Sequence, residues 1–133
     1  MPIQARIPPR FLFAFDVDET LWCAGGPVNL VDLHRLKAAG HCLVLCGNWA
    51  KLCREMQGWT SVFSCLGPIG IPKNLFLSQL GIYLGFDEYF FVGNDHDRGE
   101  YRSPNHKPNC VGTKFHFVSE LDWEPFLDKI FVG

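Results

Sequence analysis

A short run of large apolar residues that ends in two carboxylates limits the architectures open to this chain more than any other stretch does. Phe11-Leu12-Phe13-Ala14-Phe15 leads straight into Asp16-Val17-Asp18-Glu19-Thr20-Leu21. An apolar run without polar alternation reads as a strand buried on both faces, as in a parallel sheet. In open α/β sheets, ligands sit in the crevice beyond the carboxyl ends of the strands, which is where these acids fall. Asp16 and Asp18 are two apart, so both can address one site while Val17 turns away. Two acids at a strand's mouth repel each other unless a cation sits between them. The pair therefore points to a hard, oxygen-liking metal, Mg²⁺. The plainer alternative is an acidic turn after a core strand.

The rest of the chain alternates strands and helices. Gly25-Gly26-Pro27 marks a turn. Asn29 can cap a helix, with Asp32 three residues on assisting. Leu30, Leu33 and Leu36 form its apolar stripe, and Gly40 is a C-terminal stop. His41–Cys46 then reads as a second strand, so the first three elements make a parallel, right-handed βαβ unit. Trp49–Gln57 reads as a helix ended by Gly58, and Ser61–Cys65 as a short third strand. A Gly/Pro-rich loop leads to Lys73 and a helix carrying Leu75, Leu77, Leu80, Ile82 and Leu84. Tyr89–Val92 is a fourth apolar strand, running into Gly93-Asn94-Asp95-His96-Asp97. A polar loop from Gly99 to Asn109 precedes a fifth strand at Lys114–Val118. Ser119 with Asp122 resembles a capping box opening a last helix through Ile130.

At 133 residues the chain is expected to form one domain, 1–133, with a real core. The net charge of −2 and the lack of a basic tract argue against a protein built to bind nucleic acid. Met1–Arg10 lacks an apolar run suited to a signal peptide, and no stretch is long enough to span a membrane, so a soluble cytoplasmic protein is expected. None of Cys23, Cys42, Cys46, Cys53, Cys65 and Cys110 forms a Cys-x-x-Cys pair, which leaves them as reduced thiols acting as small hydrophobes. His116, in an alternating segment, is expected to be structural or at the surface. Lys73 opposes the dipole at its helix start. A cation there could reach a phosphate beside the acids, although a solvated surface lysine is the ordinary alternative.

Asp16-Val17-Asp18-Glu19-Thr20 resembles the first motif, Asp-x-Asp-x-Thr, of the haloacid dehalogenase-like (HAD) superfamily, in the wording of its phosphatase branches. The resemblance runs from Phe11 to about Ile130 and implies an α/β, Rossmann-like three-layer sandwich with a mainly parallel sheet of about five strands. It implies a Mg²⁺-dependent phosphatase working through an aspartyl-phosphate, with Asp16 as nucleophile and Asp18 as general acid and base. Cys46-Gly47-Asn48 matches the second motif, where the family has Ser or Thr in place of Cys46; the phosphate contact then falls to Asn48 and main-chain N–H groups. Lys73 matches the third motif, offsetting charge. Asn94 stands where the fourth motif puts a metal-binding acid, with Asp95 adjacent, Asp97 close and Glu100 near the later acid. Mg²⁺ would be held by Asp16, the Asp18 carbonyl, and Asn94 or Asp95. A flap alone fills the place after the first motif, so the resemblance is to a member without a cap domain. The site would be covered by a phosphorylated macromolecule or by a neighbouring subunit of a homo-oligomer. Trp22, Trp49 and Trp59 could line such a mouth or belong to the core. The departures at Cys46 and Asn94 keep a second reading open: a catalytically weak or inactive module that binds a phosphorylated ligand or protein partner.

Overall fold

The computed structural model describes residues 11–47, 49–52, 58–67, 76–77, 86, 88–94 and 114–131. Five strands lie in one sheet: β1 (Phe11–Phe15), β2 (Cys42–Leu45), β3 (Cys65–Leu66), β4 (Glu88–Gly93) and β5 (Lys114–Ser119). Their order is β3-β2-β1-β4-β5, and every neighbouring pair is parallel. The fold is α/β and Rossmann-like. The chain builds outward from β1 through β2 to β3, then crosses back to lay β4 on the other side of β1. This reversal opens a crevice at the carboxyl ends of β1 and β4.

The side-chain period of two divides the apolar residues between the sheet's faces. Phe13, Phe15, Leu43, Leu45, Phe90 and Val92 pack on one face, under α1 (Leu30–Ala38) and α2 (Trp123–Phe131). Leu33 and Leu36 of α1 and Trp123 and Leu127 of α2 complete that layer. Leu12, Ala14, Val44, Tyr89 and Phe91 pack on the other face, with Leu77, in a helical segment, and Phe86 over them. Both faces of β1 are thus buried, as its unbroken apolar run requires, and the arrangement has three layers. Cys46 belongs to the second cluster, and Cys42 and Cys65 pack against it as small apolar side chains.

Helix α1 starts and stops where its sequence says it should. The Asn29 side chain accepts from the Asp32 N–H at 3.0 Å, and the Asp32 carboxylate accepts from the Asn29 N–H at 3.5 Å. Asp32 also accepts from the indole N–H of buried Trp123 at 2.9 Å, which ties the start of α1 to the start of α2. At the other end Gly40 takes a φ of 94°, and the N–H groups of Gly40 and His41 close on the carbonyls of Lys37 and Leu36.

Three expectations change. The third strand is Cys65–Leu66, because Thr60–Val62 winds into a 3₁₀ turn held by Val62 N–H to Trp59 O and by the Ser61 hydroxyl to Gly58 O. A serine hydroxyl next to a turn competes with the sheet for main-chain partners. Trp49–Leu52 is 3₁₀ rather than α-helical, and 53–57 lie outside the described residues. Ser119 caps a 3₁₀ turn, Glu120–Asp122, by accepting from Leu121 N–H, so α2 itself begins at Trp123. His116, expected to be structural or at the surface, is partly exposed. It stacks on Phe90 at 4.9 Å, and its Nε2 lies 3.1 Å from Glu88 Oε2, close enough for an ion pair but off the line of a hydrogen bond. Among the described residues, no helix is long and apolar enough to cross a membrane.

Candidate active site at the carboxyl end of the sheet

The sheet's order gathers the ends of its three central strands. Asp16 follows β1 directly, and its N–H donates to Val92 O of β4 at 2.9 Å. Cys46 follows β2, and its N–H donates to Phe15 O of β1 at 2.8 Å. Asn94 follows β4. The ladder continues past the ends of β1 and β2, so Asp16 and Cys46 begin from fixed main-chain positions.

Asp16 is 5 % exposed. Burying a carboxylate is costly unless donors face it. The Val17 N–H donates to Oδ1 at 2.8 Å, and the Asn94 amide donates to Oδ2 at 3.4 Å. Gly47 stands against the same carboxylate: a Cβ there would come within 2.7 Å of Asp16 Oδ1. Its φ of 98° independently favours glycine. The strand-to-loop turn after β2 is therefore shaped around Asp16.

Asp18 differs from Asp16 in being exposed. The turn between them is tight: Thr20 and Leu21 N–H groups both close on Val17 O. Glu19 sits at a φ of 60°, the left-handed region that a residue with a Cβ enters at a cost of about 1–3 kcal/mol. Buried Thr20 donates its hydroxyl to Asp18 O at 3.4 Å. Thr20 thus orients the Asp18 peptide. Only its place in the motif hinted at a role, and no spacing rule singles it out. The segment after Thr20 forms a 3₁₀ turn at Trp22–Ala24 and returns through a single bridge, Leu21 to Val28, in the place of the flap. Trp49 donates its indole N–H to Gly67 O at 2.8 Å, and Trp59 is buried in the core; of the three, Trp22 is the exposed one.

Lys73, Asn48, Asp95, Asp97 and Glu100 lie outside the described residues. Of the expected site, the structure brings together Asp16, Gly47 and Asn94, with Cys46 one residue from Gly47 and Asp18 at the rim. Cys46 is buried on the opposite phase of β2 from Leu45, within the second core cluster.

Whether these residues suit a hard cation can be judged from Asn94. Its Oδ1 is buried and has no hydrogen-bond partner among the described residues, while its Nδ2 faces Asp16. Turning the amide over would present Oδ1 toward Asp16, leaving an amide oxygen, a carboxylate and the Asp18 carbonyl as an all-oxygen set. That carbonyl has a second lone pair beyond its bond from Thr20. Among the described residues, no three His, Cys, Asp or Glu side chains cluster as metal ligands. Oxygens of these kinds are what Mg²⁺ takes, and the residues that would hold it are Asp16, the Asp18 carbonyl and Asn94. Compared with protein-family models, with curated proteins and with solved structures, the chain matches none.

Proposed function

We propose that this chain is a Mg²⁺-dependent phosphatase that hydrolyses phosphomonoesters through a phosphorylated Asp16, as its resemblance to the HAD superfamily implies. The observation that carries this reading is the buried Asp16 carboxylate at the β1–β4 crevice, fenced by Gly47 and facing Asn94. An oxygen of Asp16 attacks phosphorus, and the ester oxygen leaves with a proton from Asp18. Asp18 then takes a proton from water as that water attacks the aspartyl-phosphate, which releases inorganic phosphate and restores Asp16. The two roles suit the two environments. A nucleophile benefits from being held rigidly and shielded, whereas a proton shuttle must reach both leaving group and water. In the turn that Cys46 opens, whose own N–H is held by Phe15 O, the Asn48 side chain and the main-chain N–H groups of Gly47 and Asn48 would bind the phosphate, and Lys73 would offset its charge. Asp16, the Asp18 carbonyl, and Asn94 or Asp95 would hold Mg²⁺. Bound there, the cation would neutralise charge that builds up on the phosphoryl oxygens. We place the protein in the cytoplasm, with its cysteines reduced.

One observation favours a second reading, a module that binds a phosphorylated ligand without turnover. Asn94 gives Asp16 a neutral hydrogen-bond donor where an acid would have forced a cation between them. Turnover of an aryl phosphate with Mg²⁺ and with EDTA decides between the two. Hydrolysis that EDTA abolishes and Mg²⁺ restores supports the phosphatase; binding of phosphate without hydrolysis supports the module.

A further inference from the structure

The turn after β2 has one flank fixed by the sheet. The Cys46 N–H is held by Phe15 O of β1 at 2.8 Å, so the chain leaves β2 from a set position. The next residue, Gly47, lies against Asp16 with a φ of 98°. A glycine is conformationally permissive, so its own backbone does not secure that contact. The far flank of the turn must hold it in place.

Trp49 stands on that flank and bonds in two directions. Its main-chain N–H donates to Gly47 O at 3.0 Å. Its indole N–H, partly buried and so in need of an acceptor, donates to Gly67 O at 2.8 Å, directly after β3. The anchor at Gly67 is firm. That residue is buried, and its own N–H extends the ladder to Leu45 O at 2.7 Å. A Cβ on it would come within 2.9 Å of the Phe76 ring and 3.1 Å of Leu45 O, so it is packed too closely to drift. The Trp49 ring itself rests against the first core cluster. Gly67 is also where the chain leaves β3 on its way to Lys73. The indole bond therefore joins the two segments that carry the phosphate contacts of the proposed function.

We propose that Trp49 is a positioning residue: it fastens the Gly47 turn to the end of β3 and so keeps the turn against Asp16, set to bind a phosphoryl group. The inference rests on the phosphatase reading for the turnover of that group, but the binding of phosphate does not. Trp49 acts through Gly47 and touches no reacting atom. Released from Gly67, the turn can move off Asp16, and a misplacement of about 1 Å can cost about 10²-fold. The N–H groups of the turn meet phosphate before and during its transfer, so KM rises more than kcat falls.

The test uses Trp49→Phe, which keeps a ring on the core and removes the indole donor. Its KM for an aryl phosphate, and its dissociation constant for inorganic phosphate read by calorimetry in Mg²⁺, should both rise about tenfold, with kcat falling less. Asn29→Ala, a cap variant on α1, should lower the melting temperature and leave both constants at the parent's values. In a Gly47→Ala background, where the turn is already displaced, Trp49→Phe should weaken phosphate binding further by about twofold at most, because the two residues act as one unit. Unchanged phosphate affinity in Trp49→Phe, an equal loss in Asn29→Ala, or additive losses in the double variant would overturn the positioning role. Each of these leaves the phosphatase standing if the parent hydrolyses the aryl phosphate. If the parent hydrolyses nothing, the phosphatase reading fails and the phosphate constants decide alone. The same pattern among them upholds the role of Trp49, and a parent that binds no phosphate overturns it.

Discussion

The Asn94 side-chain amide donates to Asp16 Oδ2 at 3.4 Å across 78 residues of sequence. The two residues directly follow β4 and β1, which are neighbours only because the chain crosses back after β3. A carboxylate buried beside an amide is content without a cation, whereas a carboxylate buried beside another is not. In the proposed Mg²⁺ site, position 94 would therefore set how strongly Asp16 requires the cation.

Asn94→Asp should show that directly. Without metal, a second carboxylate facing buried Asp16 should lower the melting temperature. Added Mg²⁺ should restore it, with a larger stabilisation than in the parent protein, because the new charge joins the cation's shell. Thermal melts with and without Mg²⁺ check this. A variant that responds to Mg²⁺ no more than the parent would assign the ligand to Asp95 or Asp97.

Gly47→Ala should damage both stability and the site. The new Cβ would meet Asp16 Oδ1 at 2.7 Å, on a backbone with φ of 98°. A cost of about 1–3 kcal/mol is expected in urea unfolding, together with a fall in aryl phosphate turnover. Stability and turnover equal to the parent's would show that the turn after β2 is not shaped around Asp16.

Asp32 carries two bonds where Asn29 carries one end of a cap. Asn29→Ala should cost about 1 kcal/mol as a lost cap. Asp32→Ala should cost more, because it also strands the indole N–H of buried Trp123, a penalty of about 1–3 kcal/mol. Equal losses in urea unfolding would mean that the tie between α1 and α2 contributes nothing.

Much of the fold is legible in the sequence, and the reasons are local. β1, β2 and β4 are apolar runs with clear ends, β5 alternates polar and apolar residues at its start, and α1 carries its own start at Asn29 and Asp32 and its own stop at Gly40. Asp16 is legible as a site residue because a strand's end fixes where it must lie. β3 is harder to place, because Ser61 and Ser64 flank apolar Val62 and Phe63 in a pattern that a turn satisfies as well as a strand. The meeting of Asn94 with Asp16, and of Trp123 with Asp32, depends on strand order and helix packing, which no spacing encodes. The left-handed Glu19 is equally hidden, since glutamate has no preference for that conformation.

His41, half-buried at the start of β2, should make stability depend on pH. Its ring stacks on Phe11 at 5.2 Å, and its Nδ1 is buried with no hydrogen-bond partner among the described residues. Burial holds its pKa below the ordinary 6.5. The unfolded chain then binds the proton first, so the stability due to neutral His41 is complete above 6.5 and is lost as pH falls toward the folded value. His41→Phe keeps the stack and removes the titration. Its unfolding free energy should fall less than the parent's from about pH 7 to about pH 5. Parallel curves would remove His41 as the cause.

Rapid-quench kinetics on an aryl phosphate in Mg²⁺ can reveal whether Asp16 is phosphorylated and then freed with the help of Asp18. A phenolate leaves without a proton, so Asp18→Asn should still allow phosphorylation of Asp16. Water attack should slow by about 10²–10⁴-fold, the usual worth of a general base. We predict a burst near one equivalent per site for Asp18→Asn, followed by slow turnover, and neither burst nor turnover for Asp16→Asn. Turnover by Asp16→Asn, or a folded Asp18→Asn with neither burst nor trapped phosphoprotein, would contradict this mechanism.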